Sequence, residues 1–297
     1  MTVVTSIQKS GLLSRTDMKQ DLKDTTFIIP ICIESEDRMR NVITSLCYIL
    51  DNFDTKVILK EVDSESVFQA HALPQITEYV EGGIDNLTHI FEKKDELDPT
   101  FYRQRHINEM LNLVETKVTA NYDCDVLLPF DTYLDSQRFI VEEAYDVIYP
   151  YGQGPWQKKV YATDEMVSEF LSNDCEFSYL EKKVEIDNAE SGHVQFIRTS
   201  AYREAGMENE NFKAYAPEDK ERLHRFVKLG YNVGRIENWV YHLEHARGDN
   251  SWLTNPHMRD NFALWESLQQ LNEEELRQYY KEQKYSQTLQ YFQAVVY

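Results

Sequence analysis

The chain has 297 residues, of which 31 are Lys or Arg and 51 are Asp or Glu, giving a formal net charge of −20. A surface this negative repels phosphate backbones and anionic lipids, which argues against a nucleic-acid partner and against membrane attachment through basic residues. The length allows one large α/β domain or two smaller ones, and the 19 Tyr and 14 Phe are typical of a folded protein.

The first residues, Met1 to Lys23, are polar and lack the apolar stretch of a signal peptide. No run approaches the ~20 apolar residues that span a bilayer. The four cysteines form no C-x-x-C pair, as expected for buried reduced thiols. We therefore expect a soluble cytoplasmic protein without a membrane span.

The first elements in chain order predict a β-α-β unit. Residues 26–33 are apolar and rich in β-formers, although Pro30 predicts that this strand is short. Apolar residues at helical spacing from Met39 to Leu50 predict a helix, and residues 56–62 predict a second strand. This order favours a parallel sheet.

The middle of the chain is less regular. Residues 63–99 are weakly patterned, and apolar spacing from Phe101 to Val118 predicts a helix. The motif Asp123-Cys124-Asp125 then precedes an apolar run, Val126 to Pro129, that predicts a buried strand. Asp135 predicts the cap of a helix that continues to Val147.

The second half begins with residues 149–190, which predict a long loop, a short helix at 166–171 and a possible lid over a site. Strand and helix patterns then alternate at 193–198, 219–229, 232–237 and 239–243. Helix starts at Asn255 and Asn272 predict a C-terminal helical extension. The predicted organisation is an N-terminal extension (1–24), one α/β domain (25–252) and the helical extension (253–297).

Two carboxylates one residue apart at a strand end, Asp123 and Asp125, can present oxygens to one divalent cation. Such hard ligands suit Mg²⁺ or Mn²⁺, which commonly carry a diphosphate substrate. His242 and His245 lie three residues apart around the end of another predicted strand, and they are candidates to add two imidazoles to this site. An ordinary solvated strand end and packed or exposed histidines are the alternatives.

Four further charged residues are candidates for the site: Arg38, Arg103, Glu218 and Asp219. Guanidinium groups offer a fork of donors to phosphate oxygens, although surface ion pairs would explain both arginines equally. Glu218-Asp219 is either a catalytic pair or an acidic helix start that the helix dipole favours.

The order of these clusters resembles that of glycosyltransferases with the GT-A fold, in particular the inverting β-1,4-galactosyltransferase and chondroitin-synthase type of family 2-like enzymes. The resemblance spans roughly residues 25–251 and departs from the family pattern at Tyr102 and His193, where Asn and Gly are usual. The matching positions are residues 27–30 with Arg38 and Asn41, Arg103 and Asn108, Asp123 to Asp125, Gly192, Tyr215 to Asp219, and His242 to Arg247.

The resemblance implies a Rossmann-like α/β fold of the GT-A class, with a mixed, mainly parallel sheet flanked by helices. It implies a metal-dependent inverting glycosyltransferase that moves a sugar, Gal or GalNAc, from a UDP-sugar to a saccharide acceptor, in surface polysaccharide synthesis. Mn²⁺ or Mg²⁺ would be held by Asp125, His245 and His242.

The resemblance also assigns the remaining roles. Asp219 would be the general base and Glu218 would hydrogen-bond a sugar. Glu61, at the end of the second strand, would recognise uridine or ribose, and Tyr215, with Trp156 as a further candidate, would stack on a sugar. The residues expected to bind the nucleotide sugar are Pro30, Arg38, Glu61, Arg103, Asn108, Asp123, Gly192 and Tyr215.

Two other functions remain open. A glycosyltransferase-like protein without activity would serve as a sugar-binding or scaffold subunit. A nucleotidyltransferase would usually carry a Gly-rich loop after the first strand, where this chain has Glu34-Ser35-Glu36-Asp37. The C-terminal helices could form a homodimer, bind another partner or cover the core.

Overall fold

The computed structural model describes residues 5–7, 19–95, 97–98, 100–215, 217–246, 255–287 and 295–296. Within these residues the strands are β1 (Thr5–Ile7), β2 (Gln20–Ile31), β3 (Phe53–Asp63), β4 (Leu87–Lys93), β5 (Val118–Tyr122), β6 (Val126–Leu127), β7 (Val147–Tyr149), β8 (Gly154–Val160), β9 (Val184–Ala189), β10 (Val194–Arg198), β11 (Val233–Ile236), β12 (Val240–Leu243) and β13 (Val295–Val296). The α-helices are α1 (Glu36–Asn52), α2 (Leu73–Tyr79), α3 (Arg103–Leu111), α4 (Phe130–Glu142), α5 (Asp164–Ser172), α6 (Thr199–Glu204), α7 (Glu218–Lys228), α8 (Met258–Gln270) and α9 (Glu273–Lys281). Short helical turns cover Phe68–Ala72, Phe177–Lys182 and Lys284–Gln287.

The predicted fold class is confirmed: the protein is a mixed α/β structure whose central sheet is mainly parallel and flanked by helices. Nine strands form this sheet in the order β1-β11-β7-β10-β5-β2-β3-β4-β13. β10 and β13 are the strands that pair antiparallel to their neighbours. A second sheet of four strands, β6-β12-β8-β9, lies beside it and carries part of the candidate site.

The predicted β-α-β unit is confirmed as β2, α1 and β3. Residues 25–31 of β2 are all buried, as expected for a strand covered on both faces. Pro30 nevertheless lies within β2, one residue before its end. The pairing of β2 with β5 ends at Ile28, so Pro30 has a strand neighbour only in β3, and such a position tolerates a residue without an N–H.

Three predictions of secondary structure are wrong. The helix predicted from Phe101 to Val118 ends at Leu111, and Val118 begins strand β5. Asp123 therefore follows a strand of the central sheet, whereas the predicted strand after the motif is only the two residues of β6. Asp135 does not cap a helix, because α4 begins at Phe130 and Asp135 forms an ion pair with Arg138 inside it.

The predicted long loop at 149–190 is also wrong. It contains β8, α5 and β9, and only the short helix expected within it is confirmed. Because β8 and β9 pair with each other and β8 pairs with β12, this region is part of the second sheet.

The C-terminal helices pack closely on the α/β body. Tyr280 of α9 lies over Gly206, where a Cβ atom would come within 2.5 Å of its ring. The Tyr280 hydroxyl donates to the buried carboxylate of Glu221 in α7 at 2.6 Å, and Arg225 lies over the Tyr280 ring at 4.3 Å. At the other end of the chain, Leu22, within the predicted N-terminal extension, is fully buried in β2.

No helix in the described part of the chain is long and apolar enough to cross a membrane.

Candidate active site

A cleft of 260 Å³ lies at the edge of the central sheet where β2 and β5 end and β10 begins, against the end of β12. The carboxyl edge of parallel strands is where α/β proteins usually bind ligands. All the predicted site residues except Glu61, Asn108 and the further candidate Trp156 line this cleft. They are Pro30, Arg38, Arg103, Asp123, Asp125, Gly192, Tyr215, Glu218, Asp219, His242 and His245.

Asp125, His242 and His245 form one cluster, which we call the ligand triad. Their nearest ligand atoms all lie within 4.8 Å of one another. His245 Nε2 is 2.9 Å from Asp125 Oδ2, and His242 Nε2 is 3.8 Å from Asp125 Oδ1. Pairing of β6 with β12 brings these distant parts of the chain together, since Val126 is opposite His242.

The outer nitrogens of both imidazoles are already engaged. Nδ1 of His242 lies 2.8 Å from Glu244 Oε1, and Nδ1 of His245 lies 2.7 Å from the carbonyl of Ala246. Because that carbonyl can only accept, Nδ1 of His245 donates, and its Nε2 then faces the Asp125 carboxylate. A cation between them, a proton or a metal ion, satisfies both groups, and outer hydrogen bonds of this kind orient metal-binding histidines.

Helix α1 fixes the two backbone segments that carry the ligand triad. The fully buried Asn41 donates from Nδ2 to the carbonyl of Leu243 at 2.7 Å. Ser45, one turn further on, donates from Oγ to the carbonyl of Cys124 at 2.6 Å. The spacing of four residues places both side chains on one helix face, so one rigid element sets the separation of the ligand segments.

The electrostatics of the ligand triad favour a charged carboxylate. Burial works against ionisation of Asp125, but His242, His245 and Arg38 nevertheless hold its pKa below the ordinary value. An ionised carboxylate and two imidazoles form a donor set that suits a divalent transition ion such as Mn²⁺. The residues present therefore fit the predicted metal site.

Two guanidinium groups line the cleft beside the ligand triad. Arg103 Nη2 donates to Asp123 Oδ1 at 2.5 Å, whereas its Nη1 is buried without a hydrogen-bond partner among the described residues. Arg38 Nε is likewise buried and unpartnered within the described part of the chain. Buried donors without partners are rare, so an anionic ligand in the cleft would complete these two groups.

Glu218 and Asp219 begin helix α7 on the other side of the cleft. Asp219 Oδ1 is held at 3.0 Å by Nη1 of Arg222, which is fully buried and also bonded to Glu208. The other oxygen, Oδ2, faces Gly192, where a Cβ atom would approach within 3.1 Å. Glycine at 192 therefore leaves room beside this second oxygen of Asp219.

The two carboxyl groups are in different environments. Burial, together with the neighbouring Asp219, raises the pKa of Glu218 to about 8, and its Oε2 has no partner among the described residues. Burial also raises the pKa of Asp219, but Arg222 and Arg103 oppose this rise. Burial therefore favours the uncharged form of Glu218 at neutral pH, whereas the ion pair with Arg222 favours the charged form of Asp219.

A second groove of 700 Å³ meets the cleft at this point. The residues shared by both are Gly192, His193, Tyr215, Glu218, Asp219 and His242. The groove continues over the second sheet past Gln157 and Lys159 to Phe262. Asp219 thus lies where a molecule in the cleft would meet a molecule in the groove.

The structure does not bring Glu61 and Asn108 into the cleft. Glu61 is fully buried, and its carboxylate is bonded to Ser66, to the backbone N–H of Phe68 and to His89. Asn108 instead binds the backbone of Glu208, accepting from its N–H at 2.7 Å and donating to its carbonyl at 3.0 Å. Both side chains are engaged within the protein, so neither is placed to contact a nucleotide in the cleft.

Trp156 also lies outside the cleft lining. Its ring packs against Trp239 with centroids 5.2 Å apart and covers Gly152. Arg247, one of the positions that carry the sequence resemblance, lies outside the described residues.

Sequence reasoning did not single out His193 as a site residue, although it lines both the cleft and the groove. Its backbone has a φ of +67°, which is uncommon for a residue other than glycine. Its Nε2 lies 3.0 Å from Gln157 Oε1, and its ring packs against His242. The feature of the sequence that could have indicated a site residue here is the position of His193 directly after Gly192 and before a predicted strand.

No protein-family model matches the chain, and no curated protein sequence matches it. Solved structures similar to it include the mannosyltransferase PcManGT from Pyrobaculum calidifontis in complex with GDP-Man and Mn²⁺, at 13% identity and a TM-score of 0.46, over 76% of this chain and 58% of that one. Another is TarS 1–349 of S. aureus, at 16% identity and a TM-score of 0.46, over 76% of this chain and 60% of that one. The chain spans about 60% of the length of these two structures. At this level of similarity the assignment of function depends on the geometry of the cleft.

Proposed function

We propose that the protein is a metal-dependent glycosyltransferase that transfers a sugar from a nucleotide diphosphate donor to a saccharide acceptor with inversion. One observation carries the proposal: the ligand triad, Asp219, Arg38 and Arg103 line the same small cleft. Each of the two arginines also has a buried guanidinium nitrogen without a partner among the described residues. A metal site, a phosphate-binding region and a carboxylate base are the parts that such a transfer needs.

The donor would bind with its diphosphate beside the ligand triad. An ion held there would supply Lewis-acid charge that stabilises the departing diphosphate. Arg38 Nε and Arg103 Nη1 would donate to phosphate oxygens and so gain the partners that they lack among the described residues. These contacts hold the leaving group and orient the anomeric carbon toward Asp219.

The acceptor would lie in the adjoining groove with one hydroxyl at Asp219. Oδ2 of Asp219, the oxygen that Arg222 does not hold, would take the hydroxyl proton as the acceptor oxygen bonds to the anomeric carbon and the bond to the diphosphate breaks on the opposite face. This single displacement inverts the anomeric centre. Glu218, uncharged at neutral pH, would donate a hydrogen bond to a sugar oxygen, and Tyr215 offers a flat ring at the junction.

The donor nucleotide and sugar rest on the sequence resemblance alone. We extend the proposal to a UDP-sugar carrying galactose or N-acetylgalactosamine, and to acceptors that belong to surface polysaccharides. A panel of nucleotide sugars, measured by thermal shift with and without Mn²⁺, tests the donor class directly, because ligands that bind the native state raise the melting temperature.

Replacement of Asp219 tests the chemical role. Asp219→Asn keeps the size of the side chain but removes the proton acceptor, so we expect kcat to fall about 10²- to 10⁴-fold. Binding of UDP with Mn²⁺, measured by titration calorimetry, should stay close to the wild-type value because Asp219 is not part of the ligand triad.

The outcomes separate the candidate functions. Full activity of the Asp219→Asn variant would remove Asp219 from the base role. Nucleotide-sugar binding by the wild-type protein without transfer or donor hydrolysis would instead indicate a sugar-binding protein without activity. No binding of any nucleotide sugar would contradict the proposal as a whole.

A further inference from the structure

The segment 213–215 carries Tyr215 to the junction of the cleft and the groove. Ala214 in this segment is buried and has a φ of +57°, a left-handed conformation that favours glycine. A strained backbone of this kind persists only where its surroundings hold it in place.

Two asparagines from the C-terminal part of the chain hold this segment. Asn261 of α8 accepts from the N–H of Lys213 at 3.1 Å and donates to the carbonyl of Lys213 at 2.8 Å. Asn255 donates to the carbonyl of Tyr215 at 2.8 Å and to that of Lys213 at 3.2 Å. The amides therefore bind backbone groups on both sides of the strained Ala214.

The asparagines are themselves fixed. Asn261 is 2% exposed and Asn255 is 4% exposed, so water cannot readily replace their bonds. Asn255 Oδ1 also accepts from the N–H of His257 at 2.9 Å, which ties it to the start of α8. Loss of Asn261 would leave the N–H of Lys213 without its hydrogen bond, and loss of Asn255 would leave the carbonyl of Tyr215 with only the longer bond, 3.4 Å, from Asn261. Either loss would weaken the restraint on the strained conformation of Ala214.

We propose that Asn261 and Asn255 are positioning residues that hold Tyr215 at the acceptor side of the cleft, so that the C-terminal helices complete the substrate site. The role of Tyr215 rests on the proposed function, whereas the restraint on segment 213–215 does not depend on it. The ligand triad and the guanidinium groups have no bond to these asparagines in the contacts described, so the effect should be confined to the acceptor.

The test uses Asn261→Ala in the full chain, with Asn272→Ala as the matched control. Asn272 caps helix α9 through a capping box with Glu275 and is far from segment 213–215 in the chain. Loss of that cap should cost about 1 kcal/mol, so it lowers the melting temperature of the C-terminal helices without touching the segment.

Two measurements decide the matter. Hydrogen–deuterium exchange of the peptide that covers 211–217 should be faster in Asn261→Ala than in the wild type and unchanged in Asn272→Ala. The KM for a saccharide acceptor should rise about tenfold or more in Asn261→Ala, since small misplacements near a reacting centre are costly. The Kd of UDP with Mn²⁺ should stay within about twofold, because the donor side is not touched.

Unchanged exchange in Asn261→Ala overturns the proposal, whatever the activity. A parallel loss of nucleotide binding, or equal kinetic effects in the two variants, also overturns it, because general destabilisation would then explain the result. Tyr215→Ala should reproduce the rise in acceptor KM, and combining it with Asn261→Ala should add little further. If the wild-type protein transfers no sugar, the proposed function fails, and the exchange experiment still decides whether the asparagines hold the segment.

Discussion

Among the residues that the structure describes, two clusters bring together the residue types that bind metal ions, and they differ in whether cations of the protein already neutralise them. One is the ligand triad. The other, formed by Glu92 of β4 with His106 and Glu109 of α3, also has its ligand atoms within 4.8 Å of one another. Distance and residue type alone do not distinguish them.

The second cluster is already neutralised by the protein itself, and we call it the lysine-filled cluster. Nζ of the fully buried Lys60 lies 2.7 Å from Glu92 and forms an ion pair with Glu109. Arg105 forms a further ion pair with Glu92. In the described part of the chain, no lysine or arginine forms an ion pair with Asp125. The carboxylate of the ligand triad therefore remains available to a metal ion, whereas the carboxylates of the lysine-filled cluster are already paired with cations of the protein.

The largest expected effect comes from removing the cation of the lysine-filled cluster. Lys60→Met removes the buried cation that pairs with both Glu92 and Glu109 and leaves Glu109 only the longer ion pair with Arg105, at 3.6 Å, so we expect the free energy of unfolding to fall by about 3–5 kcal/mol. Chemical denaturation measures this. Lys60→Met combined with Glu109→Gln should recover much of the loss, and a stable single variant would show that Lys60 does not neutralise this cluster.

The second largest expected effect is on the affinity for Mn²⁺, which should depend on the ligand triad and not on the lysine-filled cluster. We expect His245→Ala to weaken Mn²⁺ affinity by more than about 100-fold, since losing even a partner that orients a ligand typically costs 10- to 100-fold. Glu109→Gln should leave the affinity unchanged. Titration calorimetry with Mn²⁺ makes the measurement, and equal losses in the two variants would remove the distinction between the clusters.

The smallest effect concerns pH. The pKa of Glu218 is raised from 4.5 to about 8, so its uncharged form stabilises the folded protein below about pH 4.5 and this contribution is lost as pH rises through 8. Glu218→Gln should therefore gain stability relative to the wild type between pH 6.5 and 7.5, by at most about 1.4 kcal/mol.

Glu109 is the matched control for this pH dependence. Burial works against its charge, but His106 and Lys60 lower its pKa, so its contribution to stability is present above pH 4.5 and is lost as the pH falls. Glu109→Gln should not gain stability as the pH rises toward 8. Melting curves across the pH range would contradict the comparison if the two variants showed the same trend.

The part of the candidate site that could be predicted consists of charged and imidazole side chains that follow one another in a recognisable order along the sequence. Asp125 and His245 are 120 residues apart, yet each lies at the end of a predicted apolar segment. The pairing that joins them was not predictable, because β6 has only two residues and such a strand leaves no periodic pattern. The second sheet was missed for a related reason: β8 begins Gly154-Pro155, which signals a turn.

Side chains whose role is to bind backbone groups of another segment could not be recognised from the sequence. Asn255 and Asn261 bind groups of Lys213 and Tyr215, and a backbone carbonyl is the same in every residue. Glu61 shows the opposite error: its place at a strand end suggested a ligand contact, whereas the fold surrounds it with donors from residues 66, 68 and 89. Tertiary contacts decide such cases.

The bonds from Asn41 and Ser45 to the carbonyls of Leu243 and Cys124 have a thermodynamic consequence. In small zinc domains, the chain folds only as the ion arrives, and a chelator unravels it. In this protein the two segments that carry the ligand triad are joined to helix α1 by hydrogen bonds that involve no ion. Removal of the metal ion with a chelator should therefore leave the protein folded and able to bind the ion again without refolding. The fraction of protein with a bound ion would then depend only on the concentration of free ion.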